Sequence, residues 1–492
     1  MAMIVALFMV LILSVLGSSL MFVSRTETLS SLNYKTMSQV RYGAEAGVHG
    51  AINHLLWTYT PPASTGADPL ANYDLTKYPV EYDGAPVVLS SDGGFADNYP
   101  ISSVQDAFLA ASQGSLGVNV GSVSYVSRAT LLAMRTIPHP FIPGDEITLQ
   151  RWHVTGTGRV PGAGAAAIEV SAIVERPPVP VFAYAAFATY SGCDALRFGG
   201  GADTGSYNSA DYSGVGVPVT SASDGNVGTN GNLSEIGATT AINGTLSTPR
   251  TGVGSCSAGG VSALTTSGGA TLTGGLVQLP QVVEFPDPPP PSPMPPTGSV
   301  TFNGGCPAAT AAYCTITAAG PPATVTLDPA LAGGTILLGN VSVTGGTNLI
   351  LKPGIYNVNS LGFSGNSTIG VDMSAGVPTD PVLFNVAGVG VMMPIDFLGG
   401  SISNPSYDPT LMQILYAGDK DVRLTGGASS AALVYAPNAG ITFAGGSTFY
   451  GSVVGGIIKD MGGATINYDR RLDKTALMQG PPVLSAFTWK SF

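Results

Sequence analysis

MAMIVALFMVLILSVLGSSLMFVS, residues Met1 to Ser24, carries no charge at all. At 1.5 Å per residue, a helix of this length spans the roughly 30 Å hydrocarbon core of a bilayer. The stretch is too long for a signal-peptide core, and it lacks the preceding basic segment and the A-x-A cleavage site of one. Arg25 and Glu27 bring the first charges without ending the helix. Beyond them Leu29, Leu32, Val40, Ala44, Val48, Ile52 and Leu55 recur mostly at steps of three or four, the period of a one-faced helix. Pro61-Pro62 is the first firm stop. The reading is one helix over 1–57, apolar all round over 1–24 and amphipathic over 25–57.

The rest of the 492-residue chain has another character. Only 10% of residues are charged, against roughly 25% in an average soluble domain. With 66 Gly, 37 Pro and 44% hydrophobic residues, an acidic disordered chain is excluded. The net charge of −11 repels phosphate and argues against a nucleic-acid partner. So much Gly, Thr, Ser and Val disfavours a mainly helical enzyme. The four cysteines form no C-x-x-C or C-x-x-C-H, which excludes zinc ribbons and c-type haem, and their even number suits two disulfides in an oxidising compartment.

VALFMVLILSVLG followed by SRTETLSSLNYKTMSQVRYGAEAGVHGAINHLL resembles the N-terminus of the PilX/GspK-type large pilin-like proteins. In that family an apolar helix runs on into an A-E-A-G/A segment, here Ala44-Glu45-Ala46-Gly47. The resemblance implies that Met1 is the mature N-terminus, left by a prepilin peptidase that cuts behind a glycine and methylates the new amine. Most type IV pilins carry a glutamate where this chain has Val5, to pair with a neighbouring subunit's terminal amine. The PilX/GspK-like group often lacks it. An unpaired ammonium in an apolar filament core is costly, so Val5 speaks against an ordinary major pilin.

Residues 58–110 are rich in loop signals, and three β-rich runs follow: Val123–Thr136, Ile147–Thr157 and Ala167–Arg176. Gly-Thr-Gly at 156–158 and the Gly/Ala stretch 162–167 read as turns between the last two. ITLQRWHVTGTGRV through AAAIEVSAIVERPPVPVFAYAAFA resembles the strand pair and exit of a pilin head, which implies an antiparallel meander on the second half of the helix over 58–181. Pro177, Pro178 and Pro180 close it.

From residue 182 short apolar pieces are punctuated by Gly or Asn every six to ten residues, as in DGNVGTNGNL, TTAINGTLST and GGATLTGGLVQL, and again in TILLGNVSVTGG and LVYAPNAGITFAGGSTFYGSVVGGIIKDMGGATINYD. Short, evenly spaced strands with glycine corners suit a parallel β-helix, with a β-sandwich or split β-barrel as alternatives. Val434-Tyr435-Ala436-Pro437 through Phe449-Tyr450-Gly451 to Asn467-Tyr468-Asp469 resembles the β-helical domain found downstream of PilX-like N-termini. The expected fold is α+β: pilin-type helix, antiparallel β domain, and a glycine-rich domain over 182–284 and 298–470. FPDPPPPSPMPP within 285–297 predicts a polyproline strap between its two parts, and 471–492 a C-terminal tail. Cys306 and Cys314, eight apart, can close a small loop, which leaves Cys193 for Cys256; three pairings are possible in principle.

No H-E-x-x-H, G-x-S-x-G, P-loop or EF-hand loop is present. His49 and His54 are five apart on a helix and diverge too far to share a metal. His139 and His153 have no partner at a telling spacing. Asp92, Asp97 and Asn98 are a thin calcium candidate, and Asp419, Lys420, Asp421 and Arg423 read as a solvated turn rather than a glycan-cleaving cluster. No cofactor and no enzymatic activity are expected.

The sequence therefore reads as a secreted structural subunit, held in the inner membrane and then extracted by pilus assembly machinery to pack with copies of itself or other pilins in a surface filament. Met3, Ile4, Val5, Leu7, Phe8, Leu11, Ile12, Val15 and Leu16 are its expected filament core. Covering roughly 20 such side chains at about 1.5–3 kcal/mol each drives assembly. Gly17, Ser18 and Ser19 are the expected weak point, unwinding near Leu16–Leu20 in the assembled state, because glycine costs about 1 kcal/mol in a helix and serine hydroxyls can cap freed carbonyls. A minor tip pilin or adhesin is the alternative, and a membrane-anchored glycan-active protein a more distant one.

Overall fold

The computed structural model describes residues 2–118, 121–142, 144–160, 167–320, 322–425 and 430–491. They divide into two compact units. One comprises the chain up to His139, Gly144–Val179 and everything from Met478; the other comprises residues 140–143 and Pro180–Leu477.

The first unit is built on α1, Ala2–Trp57, a single helix with no proline in it. It ends where the amides of Thr58 and Tyr59 both donate to the His54 carbonyl, at 3.0 and 2.9 Å. Val40, Ala44, Val48, Ala51, Ile52 and Leu55 are buried on one side of its second half, as the three-and-four spacing requires. They face a sheet of β1 (Val88–Ser90), β3 (Gly121–Pro138), β4 (Glu146–Arg159) and β5 (Ala167–Glu175), all antiparallel, with β2 (Gly114–Val118) forming a hairpin on β3. A second helix, α2 (Ser102–Ser112), falls in the stretch that reads as loop; it buries only Phe108 and Ser112, too few for a periodic signal.

Two expectations are corrected here. The described part of 471–492, up to Ser491, does not form a tail. Val483–Ser491 is a strand along β5, with Leu484, Phe487 and Trp489 opposite Val174, Ala172 and Val170. Gly156 and Gly158 are not a turn but lie within β4. A Cβ at Gly156 would meet the Ala44 carbonyl oxygen at 2.3 Å, and one at Gly158 the Val40 oxygen at 2.1 Å. The glycines let the backbone of α1 lie against the sheet, a close approach no larger residue permits.

The second unit is made of parallel ladders. Its first strands are β6 (Ala186–Ala188), β7 (Leu196–Gly199), β8 (Asp203–Tyr207), β9 (Val227–Thr229), β10 (Leu233–Ile236), β11 (Ala241–Ile242), β12 (Leu246–Thr248), β13 (Leu264–Ser267), β14 (Thr271–Leu272) and β15 (Leu276–Gln278). Each pairs in parallel with the strand three further on: β6 with β9, β9 with β12, β12 with β15, and likewise from β7 and from β8. Gly200 and Gly201, with φ of +66° and +87°, turn the chain between β7 and β8.

Beyond the proline-rich segment come β16 (Ser299–Phe302), β17 (Thr335–Val343), β18 (Gly354–Phe363), β19 (Val382–Val386), β20 (Met412–Tyr416), β21 (Ser430–Phe443), β22 (Thr448–Asp460) and β23 (Thr465–Asp469). Successive members again pair in parallel, and β22 lies beside β6 and β7 while β23 lies beside β8. The last passes of the chain thus close on the first. One register column runs Ile336, Tyr356, Phe384, Ile414, Val434, Val453, Ala186, Val227, Leu246, Leu276. All are buried except Leu276.

This closure fixes the task of the proline-rich segment, which must carry the chain from β15 at one end to β16 at the other. A second column, from Val300 through Val341, Leu361, Ile395, Val422, Ile441, Ile458, Leu196 and Leu233 to Leu264, sets the distance at nine strand steps. At about 4.8 Å per step that is about 43 Å, and the residues between Gln278 and Ser299 reach about 60 Å as polyproline II. The segment is held throughout its length. Asn230 exchanges two hydrogen bonds with Val283 (both 2.8 Å), Tyr435 Oη donates to the Pro286 carbonyl (2.6 Å), Asn438 Nδ2 to Asp287 (2.7 Å), Asn357 Nδ2 to the Pro293 carbonyl (2.8 Å) and Asn340 Nδ2 to the Thr297 carbonyl (2.8 Å). Two disulfides complete the unit, Cys193–Cys256 and Cys306–Cys314.

Candidate assembly site on the N-terminal helix

The first half of α1 buries nothing within the chain. All sixteen large apolar side chains from Met3 to Val23 are exposed, Leu7 at 64%, Leu11 at 56% and Leu16 at 54%, whereas Val40 and Ala44 further along the same helix are at 0%. Met3, Ile4, Val5, Phe8, Ile12 and Val15 belong to this exposed set. The helix is long and apolar enough to cross a membrane. Met1 lies outside the described residues.

The expected weak point does not open in the isolated chain. α1 is unbroken through Gly17, Ser18 and Ser19, and nothing lies within 4 Å of where a Cβ on Gly17 would sit. Ser18 Oγ donates to the Ser14 carbonyl at 2.8 Å, inside the helix rather than to a carbonyl freed by unwinding. One glycine costing about 1 kcal/mol is too little to break a helix whose neighbours are Leu, Val and Met. Thr26 and Thr28 likewise donate to the Phe22 and Ser24 carbonyls, both at 2.8 Å. Such back-bonded hydroxyls need no water, and this is a feature the sequence reading missed. It suits a segment that lives in apolar surroundings. Ala44-Glu45-Ala46-Gly47 marks the point where the helix meets the sheet: Ala44 is buried, Glu45 accepts from Arg41 Nε at 2.8 Å, and a Cβ on Gly47 would meet Ser127 Oγ at 2.6 Å.

The other candidate residues are engaged in holding structure. Asp92 accepts from Arg159 at 3.3 Å, Asp97 Oδ1 from the Ser90 amide, and Asn98 Nδ2 donates to the Tyr82, Ala85 and Pro86 carbonyls, so the three do not converge on a cation. Asp419 pairs with Lys420 at 3.2 Å, while Arg423 turns to Asp396 at 3.6 Å, which disperses that cluster. His54 packs edge-on against Phe108 at 5.8 Å, and burial, with Arg128 nearby, holds the pKa of His153 below its ordinary value. A buried network at the foot of α1 joins Asp68 to Tyr73 and Tyr99, Tyr99 to Tyr59, Tyr59 to Gln150 and Gln150 to Trp152. Inside the parallel unit Glu235 and Asp460 both stand in register with Phe198 and are fully buried. Neither Glu235 oxygen has a protein partner among the described residues, and burial pushes each carboxyl up to about 7.

An exposed uncharged half-helix whose other half is seated on an antiparallel sheet is the arrangement of a pilin-like protein. Consistent with it, residues 1–49 match the PilX N-terminal family, and residues 352–475 match a domain of unknown function (DUF7305). No curated protein matches the chain. Among solved structures, the competence-associated pilin ComZ from Thermus thermophilus aligns over 93% of this chain and 98% of its own, at 15% identity and a TM-score of 0.28. A likeness that low bears on neither fold nor function.

Proposed function

We propose that this protein is a structural subunit that assembles through Met3–Val23 of α1 into an extracellular type IV pilus-like filament. Before assembly the same segment spans the inner membrane. The second unit, which we read as a parallel β-helix, is displayed on the surface, and the protein is not an enzyme. The observation that carries this reading is the contrast along one helix: sixteen apolar side chains exposed before Ser24, and a fully buried face after Met37. Leaving that many apolar groups in water, at about 1.5–3 kcal/mol each, is untenable for a secreted protein, and bilayer lipid or the helices of other subunits cover them. Val5 supports a second reading within the same class, a minor pilin at the tip that primes assembly or binds a surface, because the charge that pairs with a neighbour's N-terminus is missing.

The test is a charge at Leu7 or Leu11. Leu11→Lys abolishes incorporation into filaments while both disulfides and the β-rich circular dichroism remain. Normal filaments containing Leu11→Lys would show that the helix is not the assembly core.

A further inference from the structure

One outward column of the parallel unit collects cations. Read across the strands in register, it runs Asp396, Arg423, Thr442, Lys459, Arg197, Ser234. From Arg423 to Arg197, each member sits between two buried neighbours in the chain: Val422 and Leu424, Ile441 and Phe443, Ile458 and Asp460, Leu196 and Phe198. Side chains alternate along a strand, so these four point away from the core. Successive members are one strand step apart, about 4.8 Å. Thr442 and Lys459 are exposed, while Arg423 and Arg197 are partly buried.

Lys459 on β22 and Arg197 on β7 stand directly side by side. Like charges opposite one another on a sheet destabilise it. No carboxylate relieves this pair: the unit's ion pairs among the described residues are Lys352–Asp328, Lys420–Asp419, Arg423–Asp396 and Arg471–Asp408. Asp460 and Glu235 lie close in sequence and register but on the core side, fully buried. Asp421 leans over Gly440, where a Cβ would meet its Oδ1 at 2.5 Å, two residues along β21 from Thr442. Arg250 and Arg471 give their donors to the Asn230 and Ser191 carbonyls and to Ser209 and Asp408. The Arg197 guanidinium has no such acceptor among the described residues, and its Nε is buried and unbonded. Leaving a charged donor unsatisfied and two cations adjacent both cost free energy, and an anion on this spot offsets both.

We propose that Lys459 and Arg197 form an anion site for a carboxylate or sulfate group of an acidic polysaccharide, whose chain runs along the column past Thr442. The planar guanidinium takes the oxyanion with paired donors, and the ammonium adds a point charge beside it. The Thr442 hydroxyl, one step away, is placed for a sugar hydroxyl. Ile457 and Met461, two residues either side of Lys459, offer partly exposed apolar surface to sugar C–H groups. Other polyanions fit less well. An extended acidic peptide docks by adding to a sheet edge, but β22 and β7 are paired on both sides here. Single-stranded nucleic acid stacks on aromatic side chains, and Ile457, Met461, Gly199 and Ile236 flank the pair instead. An anionic membrane is held by clusters of about 4–8 cations, more than this column supplies. The inference goes beyond assembly through α1, since it names what the displayed unit meets.

The test titrates the full chain, dispersed in detergent, with a galacturonate oligosaccharide and separately with a sulfated galactan oligosaccharide, by isothermal calorimetry. We expect at least one of them to bind, the uncharged galactan oligosaccharide not to bind, and added salt to weaken the binding. Lys459→Gln and Arg197→Gln each weaken it at least about tenfold, the loss of one charge-assisted hydrogen bond. Lys459 is exposed, so Lys459→Gln leaves both disulfides and the β-rich circular dichroism intact. Lys474→Gln removes the same charge from an exposed position off the column and leaves the affinity unchanged. Asp421→Asn strengthens binding, because it removes a carboxylate from beside the column. Absence of binding to both acidic oligosaccharides overturns the proposal, as does equal weakening by Lys474→Gln. So does tighter binding of a glutamate oligopeptide or a thymidine oligonucleotide with the same dependence on Lys459. The dispersed chain needs no filament, so failure of α1 to assemble leaves this result readable.

Discussion

Replacing Glu235 by glutamine makes the parallel unit more stable at neutral pH, by an amount its burial sets. The carboxyl has 0% exposure and no protein partner for either oxygen among the described residues, and its pKa is pushed from the ordinary 4.5 up to about 7 by desolvation. Below pH 4.5 the group is protonated in both folded and unfolded chains and contributes nothing. Between 4.5 and 7 the unfolded chain ionises while the folded one does not, so folding stability falls; above 7 the loss is complete. At 1.36 kcal/mol per pKa unit the full loss is about 3 kcal/mol, and water reaching the carboxylate on ionisation trims it to about 2 kcal/mol. Glu235→Gln keeps the shape and removes the titration. Asp460, on the other side of Phe198 and also pushed up to about 7, adds the same slope to wild type and variant. The assay is urea unfolding from pH 4.5 to 8, followed by far-ultraviolet circular dichroism, because Trp57, Trp152 and Trp489 all lie in the other unit and tryptophan fluorescence does not report on this one. The stability of wild type relative to Glu235→Gln falls by about 2–3 kcal/mol across that range. Parallel profiles for the two proteins refute the reasoning, since they require Glu235 to ionise freely in the folded state.

Three further outcomes follow from the packing. Removing Cys193–Cys256, which closes 63 residues, costs about 4 kcal/mol by chain entropy, and removing Cys306–Cys314, which closes 8, about 2.5 kcal/mol; paired Cys→Ser variants compared by urea midpoint check the order. Gly158→Ala drives a methyl into the Val40 carbonyl and destabilises the first unit by about 3 kcal/mol, read by tryptophan fluorescence from Trp152 on β4. Asn230→Ala deletes both hydrogen bonds to Val283 and costs about 1–3 kcal/mol, with faster hydrogen exchange confined to the Val283 amide and its neighbours as the specific sign.

Helix α1 was the most legible element, because a run without charge followed by a three-and-four apolar stripe has one physical solution. The parallel ladders were half legible: glycine corners and short apolar pieces point to coiled strands, but the pieces follow no fixed period, since the connections range from Gly200, Gly201 and Ala202 between β7 and β8 to long loops such as 208–226 between β8 and β9. That the last strands return to the first was not readable, because Val453 beside Ala186 is a contact between residues far apart in the chain. The glycines of β4 misled for a related reason. Gly156 and Gly158 are spaced as a turn would space them, and only the approach of α1 shows why a strand needs them. The strand Val483–Ser491 follows Pro481-Pro482 and its partner β5 lies far earlier in the chain, so it reads as a tail until β5 is placed beside it. Among site residues, the exposed apolar set followed directly from composition. Around Gly17 the isolated chain keeps an unbroken helix, and the unwinding expected there belongs to the assembled state. The back-bonded hydroxyls of Ser18, Thr26 and Thr28 carry no sequence pattern beyond their presence.

The central claim is that the apolar half of α1 is an assembly element. Its most direct test is electron microscopy of filaments sheared from cells that make this protein, with peptide mass mapping of the purified filaments. The account predicts peptides of this chain, from both β-rich units, within filaments of wild-type cells, and their loss from filaments with Leu11→Lys. Finding the wild-type chain only in the membrane fraction, with filaments that contain none of it, would contradict the account and leave α1 as a simple anchor.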